Sequence, residues 1–456
     1  MKIIVCVKIF DGEINPFDAC ALECALGTPD SQITVVSMGP QKALGAMEAL
    51  SRLNVDRLVL LCDNAFAGAD TLATSYALSC FIKKEAPDLV LCGRQSIDGD
   101  TAQVGPCLSQ MLGYSLITNV MKYSADRCET RFGEEDVVLP AVMTIERINN
   151  LRFPSIRSQK KPVEILTAAD IGADIERCGL TGSPTRVIKA FESARGMRKC
   201  KCVSPDELGF VIKEALEKND SEASSEVSDV KFTSVWAIGE TVAQKAKEIA
   251  DEVVVITETN PEAIAQKAIA EKPDVILWNA DLWGRKNAPI CASILQTGLC
   301  ADCTMLETDG ENLFMYRPAR GGNITAKIKC LTKPQMATVR CSEKSDEIVI
   351  AGGKGIAHTP EILTKFQQKY GGETAASRAL VDMGKMPYEA QVGLTGKSIS
   401  PKVYIAIGIS GAVQHTCAIE NAQTVIAINP DKNARIFDYA DYGIVCDAES
   451  ALEKLI

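Results

Sequence analysis

From the second residue onward, short apolar runs alternate with longer segments whose apolar positions recur every three or four residues. Residues 2–9 read as a buried strand. Residues 18–26 carry a helical pattern with Asp18 available as its cap, and 33–37 read as strand again. Helix is expected at 41–53, strand at 57–61, helix at 70–84 and strand at 89–92. Strands that are apolar throughout, separated by amphipathic helices, predict a parallel sheet covered on both faces. A second such series begins near Val235 and a third near Ile348.

The first two series echo one another. Pro87-Asp88-Leu89-Val90-Leu91 leads through a polar loop to Gly105-Pro106 and a helix. Pro273-Asp274-Val275-Ile276-Leu277 leads in the same way to Ala288-Pro289 and a helix. Further on, Leu139-Pro140-Ala141-Val142-Met143-Thr144-Ile145 matches Lys333-Pro334-Gln335-Met336-Ala337-Thr338-Val339. Two related domains in one chain account for this order, against the plainer reading that α/β repeats look alike in general. Between them, residues 217–229 are acidic, Ser-rich and nearly free of large apolar residues, as a solvated linker would be. Residues 150–201 hold Pro, Gly and Arg with little periodicity, and read as an extended arm lying on another domain.

Composition narrows the classes. The 456 residues carry 49 Lys and Arg against 59 Asp and Glu, a net charge of −10, which argues against nucleic acid as a partner. No stretch reaches the roughly 18 apolar residues of a membrane helix. The N-terminal run is interrupted by Lys8 and lacks a signal-peptide cleavage pattern. The 18 cysteines are scattered through apolar segments, which fits a reducing, cytoplasmic setting. One Cys-x-x-Cys, Cys300 to Cys303, lacks the second pair of ligands that a zinc or iron–sulfur site needs, so no metal is expected.

Three segments have the character of ligand loops. Residues 94–106 follow a strand and precede a helix, and ligands of open α/β sheets bind beyond the carboxyl ends of strands. Their glycines and Thr101 can present N–H groups and a hydroxyl to a phosphate, while Asp98 and Asp100 suit ribose hydroxyls or a cap; nucleotide binding and a plain capped loop both remain open. Residues 403–415 run from a buried strand through Gly408 and Gly411 into a helix. The acidic Asp431 lies 23 positions after Gly408, in the range of a ribose contact, although the glycine spacing is not that of a dinucleotide fingerprint. The third is the pair of runs 376–382 and 391–397. There Arg378 suits a flat ring or a phosphate, or else a surface ion pair, and Gly393 and Gly396 suit turns. His415, one of two histidines, stands one turn into the helix after the glycines, facing the place of a ligand or serving the core. No Ser/His/Asp group or metal cluster assembles, so a cofactor is the expected carrier of chemistry.

These residues resemble the electron-transfer flavoproteins, with a β-type sequence first and an α-type sequence behind it. The β-like motifs are Asn15-Pro16-Phe17-Asp18, Gly68-Ala69-Asp70-Thr71-Leu72-Ala73-Thr74, the loop at 94–106 and Gly182-Ser183-Pro184-Thr185. The α-like motifs include Arg317-Pro318-Ala319 with Gly321-Gly322-Asn323, residues 334–340, Ser377-Arg378-Ala379, 391–397, 410–415 and 440–445. The resemblance implies an α/β chain: two related adenine-nucleotide-binding-like domains plus a C-terminal doubly wound FAD-binding domain. Its expected parts are a β-like domain with a C-terminal arm at 1–216, a linker at 217–230, an α-N-terminal-like domain at 231–346 and the FAD domain at 347–456.

For the FAD, the resemblance places Arg378 against the ring, Thr395 near its N5, and His415 near its O2 edge. A positive group there would stabilise charge on reduced flavin. Lys354, Ser377, Gln391, Val392, Gly393 and Leu394 are further expected contacts. Ser410, Gly411, Ala412, Val413 and Gln414 line the ring and pyrophosphate region, and Asn429 and Asp447 the adenosine end. A second nucleotide, AMP or another FAD, is expected on Cys6, Asn15, Pro16, Phe17, Asp18 and Met38. It is also expected on Arg94, Gln95, Asp98, Gly99, Asp100, Thr101, Ala102, Gln103, Val104 and Gly105, whose wording is closer to the two-FAD group.

Departures stand out. Lys354 replaces an Arg of the family pattern and Leu394 a Gln. The stretches at 8–15 and 340–348 are short, and the loop by which the family docks acyl-CoA dehydrogenases is cut to residues 157–161. The leading expectation is a flavin electron carrier, fed by a dehydrogenase or NADH and serving flavin or iron–sulfur proteins such as a ferredoxin. The alternatives are an NADH-oxidising bifurcating flavoprotein with two FAD, and an AMP- or ATP-binding sensor without flavin.

Overall fold

The computed structural model describes residues 1–124, 126–192, 198–217, 230–319, 324–341 and 345–453. Residues 218–229 of the expected linker and the Gly321-Gly322-Asn323 run lie outside them. The chain forms two compact units. One holds residues 1–191, 228–320 and 325–339, and the other 192–227, 321–324 and 340–456.

The first unit contains both echoing modules. Strands β1 (Lys2–Cys6), β2 (Gln32–Met38), β3 (Arg57–Leu61), β4 (Leu89–Gly93), β5 (Ser115–Tyr123), β6 (Arg127–Thr130), β7 (Gly133–Asp136), β8 (Ala141–Ile145) and β9 (Glu164–Leu166) form one sheet. Its order is β9-β3-β2-β1-β4-β8-β5-β6-β7. All neighbours are parallel except the β5-β6 and β6-β7 pairs. Alternate residues divide between two apolar layers: Ile3, Val5, Leu89 and Leu91 in one, Ile4, Cys6, Val90 and Cys92 in the other.

Helices α1 (Pro16–Leu26), α2 (Thr71–Glu85) and α3 (Val104–Leu112) complete the layers that matter for the site. Helix α2 starts where it does because the Asp70 carboxylate accepts from the N–H groups of Leu72 and Ala73, both at 3.0 Å. Asp18 does not cap α1: Asn15 holds that position, and Asp18 lies inside the helix, buried. The expected strand at 2–9 stops at Cys6, because the Lys8 N–H turns from the sheet to Asp18. The expected helix at 41–53 is a 3₁₀ turn, Gln41–Ala43, followed by the α-helix Leu44–Leu50. At its end the Ser51 hydroxyl donates to the Glu48 carbonyl, a side-chain bond that competes with helix continuation.

The second module repeats this plan. After the edge strand β10 (Thr185–Glu192) come β11 (Phe232–Ile238), β12 (Ala250–Ile256), β13 (Val275–Asn279), β14 (Leu299–Cys303), β15 (Met305–Thr308), β16 (Leu313–Ala319), β17 (Ile324–Cys330) and β18 (Gln335–Val339). The sheet order β12-β11-β13-β18-β14 reproduces β2-β1-β4-β8-β5, and the remaining strands form the sheet β10-β17-β16-β15. The matching X-Pro bonds, Leu139-Pro140 and Lys333-Pro334, are both cis. Two related α/β domains are therefore present in structure as in sequence.

The second unit is a doubly wound parallel sheet. Strands β19 (Ile348–Gly352), β20 (Glu373–Ala376), β21 (Val403–Ile407), β22 (Thr424–Ile428) and β23 (Tyr442–Ile444) lie in the order β23-β22-β21-β19-β20. The short strand Lys201–Cys202 is added beside β23. Again alternate residues feed two layers, Ile350 and Ile405 into one, Val349 and Tyr404 into the other. The helix Leu208–Glu217 buries Leu208, Val211 and Ile212 in the first layer. Among the described residues, no helix is long and apolar enough to cross a membrane.

Candidate functional site

In the first unit, β1 is flanked by β2 on one side and β4 on the other, so the chain diverges between β1 and β4, the place where open α/β sheets bind ligands. A cavity of about 1050 Å³ opens there. The loop predicted at 94–106 forms one wall. Arg94, Gln95, Gly99, Thr101, Ala102, Gln103 and Val104 all border the space, as do Cys6, Asp18 and Met38.

The other predicted residues support that wall from behind. Asn15 donates to the Gln95 carbonyl at 2.9 Å and accepts from the Ile97 N–H at 3.3 Å. The Phe17 ring lies 5.4 Å under the Arg94 guanidinium, and Pro16 opens α1. Asp98 pairs with Lys8 at 2.6 Å, and Asp100 accepts from Gln95 at 3.0 Å. Gly105 lets α3 lie on β8, since a Cβ there would stand 2.3 Å from Thr144 Cγ2. Arg94 is also paired with the buried Glu146 at 3.1 Å, and Arg131 reaches the same carboxylate at 3.6 Å.

Asp18 joins the two strand ends at the floor of the cavity. One of its oxygens accepts from the Lys8 N–H at 2.7 Å and the other from the Gly93 N–H at 3.0 Å. Burial pushes its carboxyl up to about 7, against the pull of those donors.

The far wall comes from residues to which the sequence assigned no site; Gly68 to Thr74, Thr185 and Arg317 belong to family markers, and Asp63 and Phe66 to none. Asp63, Phe66, Gly68, Asp70, Thr71 and Thr74 line it, together with Thr185 and Arg317. Asp70 accepts from the Thr185 N–H at 3.0 Å and its hydroxyl at 2.7 Å. The N-terminus of the 15-residue α2 thus faces the cavity, a position suited to anionic groups. Arg317 is 4% exposed and donates to the carbonyls of Gly99 (2.5 Å), Asp100 (3.1 Å) and Ala301 (2.7 Å). Gln103 accepts from the Thr71 hydroxyl at 2.5 Å and donates to the Leu299 carbonyl at 3.1 Å. The signal available in the sequence was the pair of markers, Gly68 to Thr74 and Arg317-Pro318-Ala319, more than 240 residues apart.

In the second unit the chain diverges between β19 and β21. The residues beyond the carboxyl ends of these strands are those predicted for FAD. Lys354 follows β19, Ser377 and Arg378 follow β20, 410–415 follow β21 and Asn429 follows β22. The runs 391–397 and 410–415 are joined directly: the Leu394 N–H donates to the Gln414 carbonyl at 2.6 Å. Gln391 donates to the Thr395 hydroxyl at 2.8 Å, and Val392 is buried behind them. Close backbone approach shapes the crevice. A Cβ on Gly353 would meet the Gly408 carbonyl oxygen at 2.2 Å, and one on Gly411, at φ +83°, the Ile436 nitrogen at 2.1 Å. Gly393 adopts φ +150° beside Gln414, while Ser410, Ala412 and Gln414 are exposed and Val413 is buried.

Three of the predicted residues are held by contacts within the chain. His415 is buried, with Nε2 2.7 Å from the Tyr404 hydroxyl, and burial lowers its pKa to about 4. The ring is therefore neutral at neutral pH. Its Nδ1 is buried, with the Val392 backbone as the other polar neighbour of the ring. Arg378 pairs with Asp382 one turn on, at 3.1 Å, and keeps nearly a third of its side chain exposed. Asp447 is exposed and caps its own short helix, accepting from the Ser450 N–H at 2.7 Å. Polar and charged side chains beyond four strand ends, with Lys354, Ser410 and Gln414 exposed, and a glycine-shaped crevice fit a large planar cofactor with a phosphate tail.

Comparison with known proteins matches two family models along the chain. The electron transfer flavoprotein domain family matches residues 4–171 and 212–343, and the electron transfer flavoprotein FAD-binding domain family matches 344–420. The electron transfer flavoprotein subunit alpha of Thermoanaerobacterium thermosaccharolyticum is 37% identical over 292 residues, 50% of this chain and 88% of that protein. The subunit beta of the same organism is 43% identical over 192 residues, 38% of this chain and 74% of that protein. The acryloyl-CoA reductase electron transfer subunit beta of Anaerotignum propionicum is 32% identical over 307 residues, 48% of this chain and 84% of that protein.

Proposed function

Since the chain belongs to the electron transfer flavoprotein family, with β- and α-type sequence in one polypeptide, we propose that it is a self-contained flavin electron carrier. It accepts electrons from a dehydrogenase or from NADH and passes them to a flavin or iron–sulfur protein. The observation that carries this reading is the convergence of Lys354, Arg378, 391–395 and 410–415 at the divergence point of the sheet whose sequence matches the FAD-binding family.

When bound there, FAD supplies one- and two-electron redox chemistry. The chain's own residues hold and tune it. Lys354 and Arg378 offer positive charge, and Ser377, Ser410 and Thr395 offer hydroxyls. Tyr404 fixes the neutral His415 ring behind the 410–415 turn. Asn429 turns its amide to the Ile409 carbonyl at 2.9 Å, holding the strand end that would carry the adenosine side.

The cavity of the first unit takes the second nucleotide in this reading. Arg94, Arg317 and the N-terminus of α2 suit its phosphates, and Met38, Phe66 and Val104 its base. The size of that cavity, about 1050 Å³, favours a further reading. It lies at the upper end of small-molecule sites and exceeds what AMP fills, so a second FAD, and with it NADH-linked electron bifurcation, is the form that uses the whole space.

Partner docking would use the shortened segment at 157–161. Just before it, Phe153 and Ile156 are 95% and 98% exposed, which suits an apolar protein contact. The relative from Anaerotignum points to an acyl-CoA-reducing flavoenzyme as one partner class.

Extraction of nucleotides from the purified protein, with FAD and AMP counted per chain, tests these readings together. One FAD with one AMP supports the simple carrier and removes bifurcation. Two FAD support the bifurcating form, to be followed by reduction with NADH. Protein that holds no FAD even after incubation with it overturns the carrier reading.

A further inference from the structure

Strands β1 and β4 run parallel in a register that sets Cys6 directly opposite Cys92. Neighbouring strands lie about 4.8 Å apart, within the roughly 4.4–6.8 Å that separates the Cα atoms of a disulfide. Both side chains point into the same layer, with Ile4 and Val90, while Val5 and Leu91 between them face the opposite one. The register thus sets the two thiols facing one another across the strand pair, close enough for each to influence the other's ionisation. They are 7% and 4% exposed, and what they border is the nucleotide-sized cavity rather than the outer surface.

Their place in the sheet gives this contact a consequence. Two residues after Cys6 and one after Cys92, the strand ends are clamped by the single carboxyl of Asp18 through Lys8 and Gly93. The clamp is tight, since a Cβ on Gly93 would lie 2.3 Å from Asp18 Oδ1. The two ligand loops, toward Asn15 and toward Gln103, leave from these same ends.

We propose that Cys6 and Cys92 form a dithiol–disulfide site in the floor of the nucleotide cavity, closed by a low-molecular-weight disulfide and governing how firmly the cavity holds its nucleotide. Cys6, the more exposed, attacks first: its thiolate forms a bond to one sulfur of R–S–S–R, the S–S bond breaks, and R–S⁻ leaves and takes up the proton that Cys6 released. The Cys92 thiolate then attacks the Cys6 sulfur of the mixed disulfide and expels the second R–S⁻, which takes the Cys92 proton. The protein loses two electrons and two protons, and the small disulfide becomes two thiols. Contact with the Cys6 sulfur and burial push the Cys92 thiol well above its ordinary pKa, so closure is slow at neutral pH and accelerates with rising pH. The new bond draws together strand ends that Asp18 already clamps, and so displaces the loops that depart from them.

Cys62 and Cys300 also border the cavity, and Cys300 has its own neighbour in Cys303. These provide the internal comparison. The purified full-length chain is incubated with glutathione disulfide at pH 8, alkylated without reduction, and mapped as peptides; bound AMP and FAD are counted in the same samples. The expected result is a peptide linked through Cys6 and Cys92, formed ahead of any Cys300–Cys303 link and reversed by dithiothreitol. In Cys92→Ser the reaction should stop at a glutathione adduct on Cys6. Oxidation confined to other cysteines, or adducts on Cys6 in the unaltered chain without the link, overturns the site.

The regulatory part rests on the nucleotide reading above. It expects the linked protein to retain its first-unit nucleotide about fivefold less well or worse, the lower end of couplings between sites. A link that leaves retention unchanged overturns that part. Protein found without any first-unit nucleotide before oxidation counts against the nucleotide reading, while the linked peptide still decides the bond.

Discussion

At the scale of single residues, His415 shows how burial sets the electrostatics of a crevice. The imidazole is packed against Tyr404 in the middle of β21, and its pKa is lowered from 6.5 to about 4. Between those values the unfolded chain binds a proton that the folded chain does not. Stability conferred by the neutral ring is therefore complete above pH 6.5 and is lost as the pH falls toward 4. Urea unfolding of the protein and of His415→Gln at pH 7, 6, 5 and 4 should show a difference that falls by about 3 kcal/mol across this range. A difference that stays level would mean a solvated ring with an ordinary pKa, and would remove burial as the cause of its neutrality.

At the scale of elements, the crevice of the second unit depends on backbones that meet without side chains between them. Gly411 has φ +83°, and a methyl group there would press on the Ile436 nitrogen at 2.1 Å, against a bond from that N–H to the Ser410 carbonyl at 3.2 Å. Gly384 has φ +68° but open space around it. Gly411→Ala should therefore cost about 1–3 kcal/mol for the backbone strain and more for the clash, and should release FAD. Gly384→Ala should show the strain alone and keep its FAD. Equal FAD content in both variants would mean that the 408–415 turn does not shape the site.

The central elements were largely legible in the sequence, because the inner parallel strands are short apolar runs separated by helical patterns. What escaped was tertiary. Asp18 reads as a helix cap, but the fold gives it two backbone donors, Lys8 just past the end of one strand and Gly93 at the end of another. Residues 41–53 read as one helix, but the Ser51 hydroxyl takes a carbonyl where the helix would continue. In the second unit, by contrast, the strand-glycine-helix pattern marks the divergence point directly, since there the contacts are made by residues adjoining the strand ends.

At the scale of the molecule, Arg317 shows why half of the first unit's cavity was hidden. Its charge sits 4% exposed on β16 of the second module, and all three of its bonds run to backbone carbonyls, two of them in the 94–106 loop of the first. No local pattern around residue 317 reveals this, because the partner loop lies more than 200 positions away and is brought to it by the packing of the repeated domains. Arg317→Ala leaves those carbonyls unpaired at a cost of about 1–3 kcal/mol for each one that is buried. It also withdraws a positive charge from the cavity. The nucleotide of the first unit should then be lost on purification while FAD per chain stays the same, since the FAD crevice is built from residues of the other unit. Arg317→Lys should give an intermediate result, because the ammonium keeps the charge but cannot reach three carbonyls with a planar fork. If Arg317→Ala lowers both nucleotides in step, the two sites are not separately built, and the division of the chain into one unit for each nucleotide fails with them.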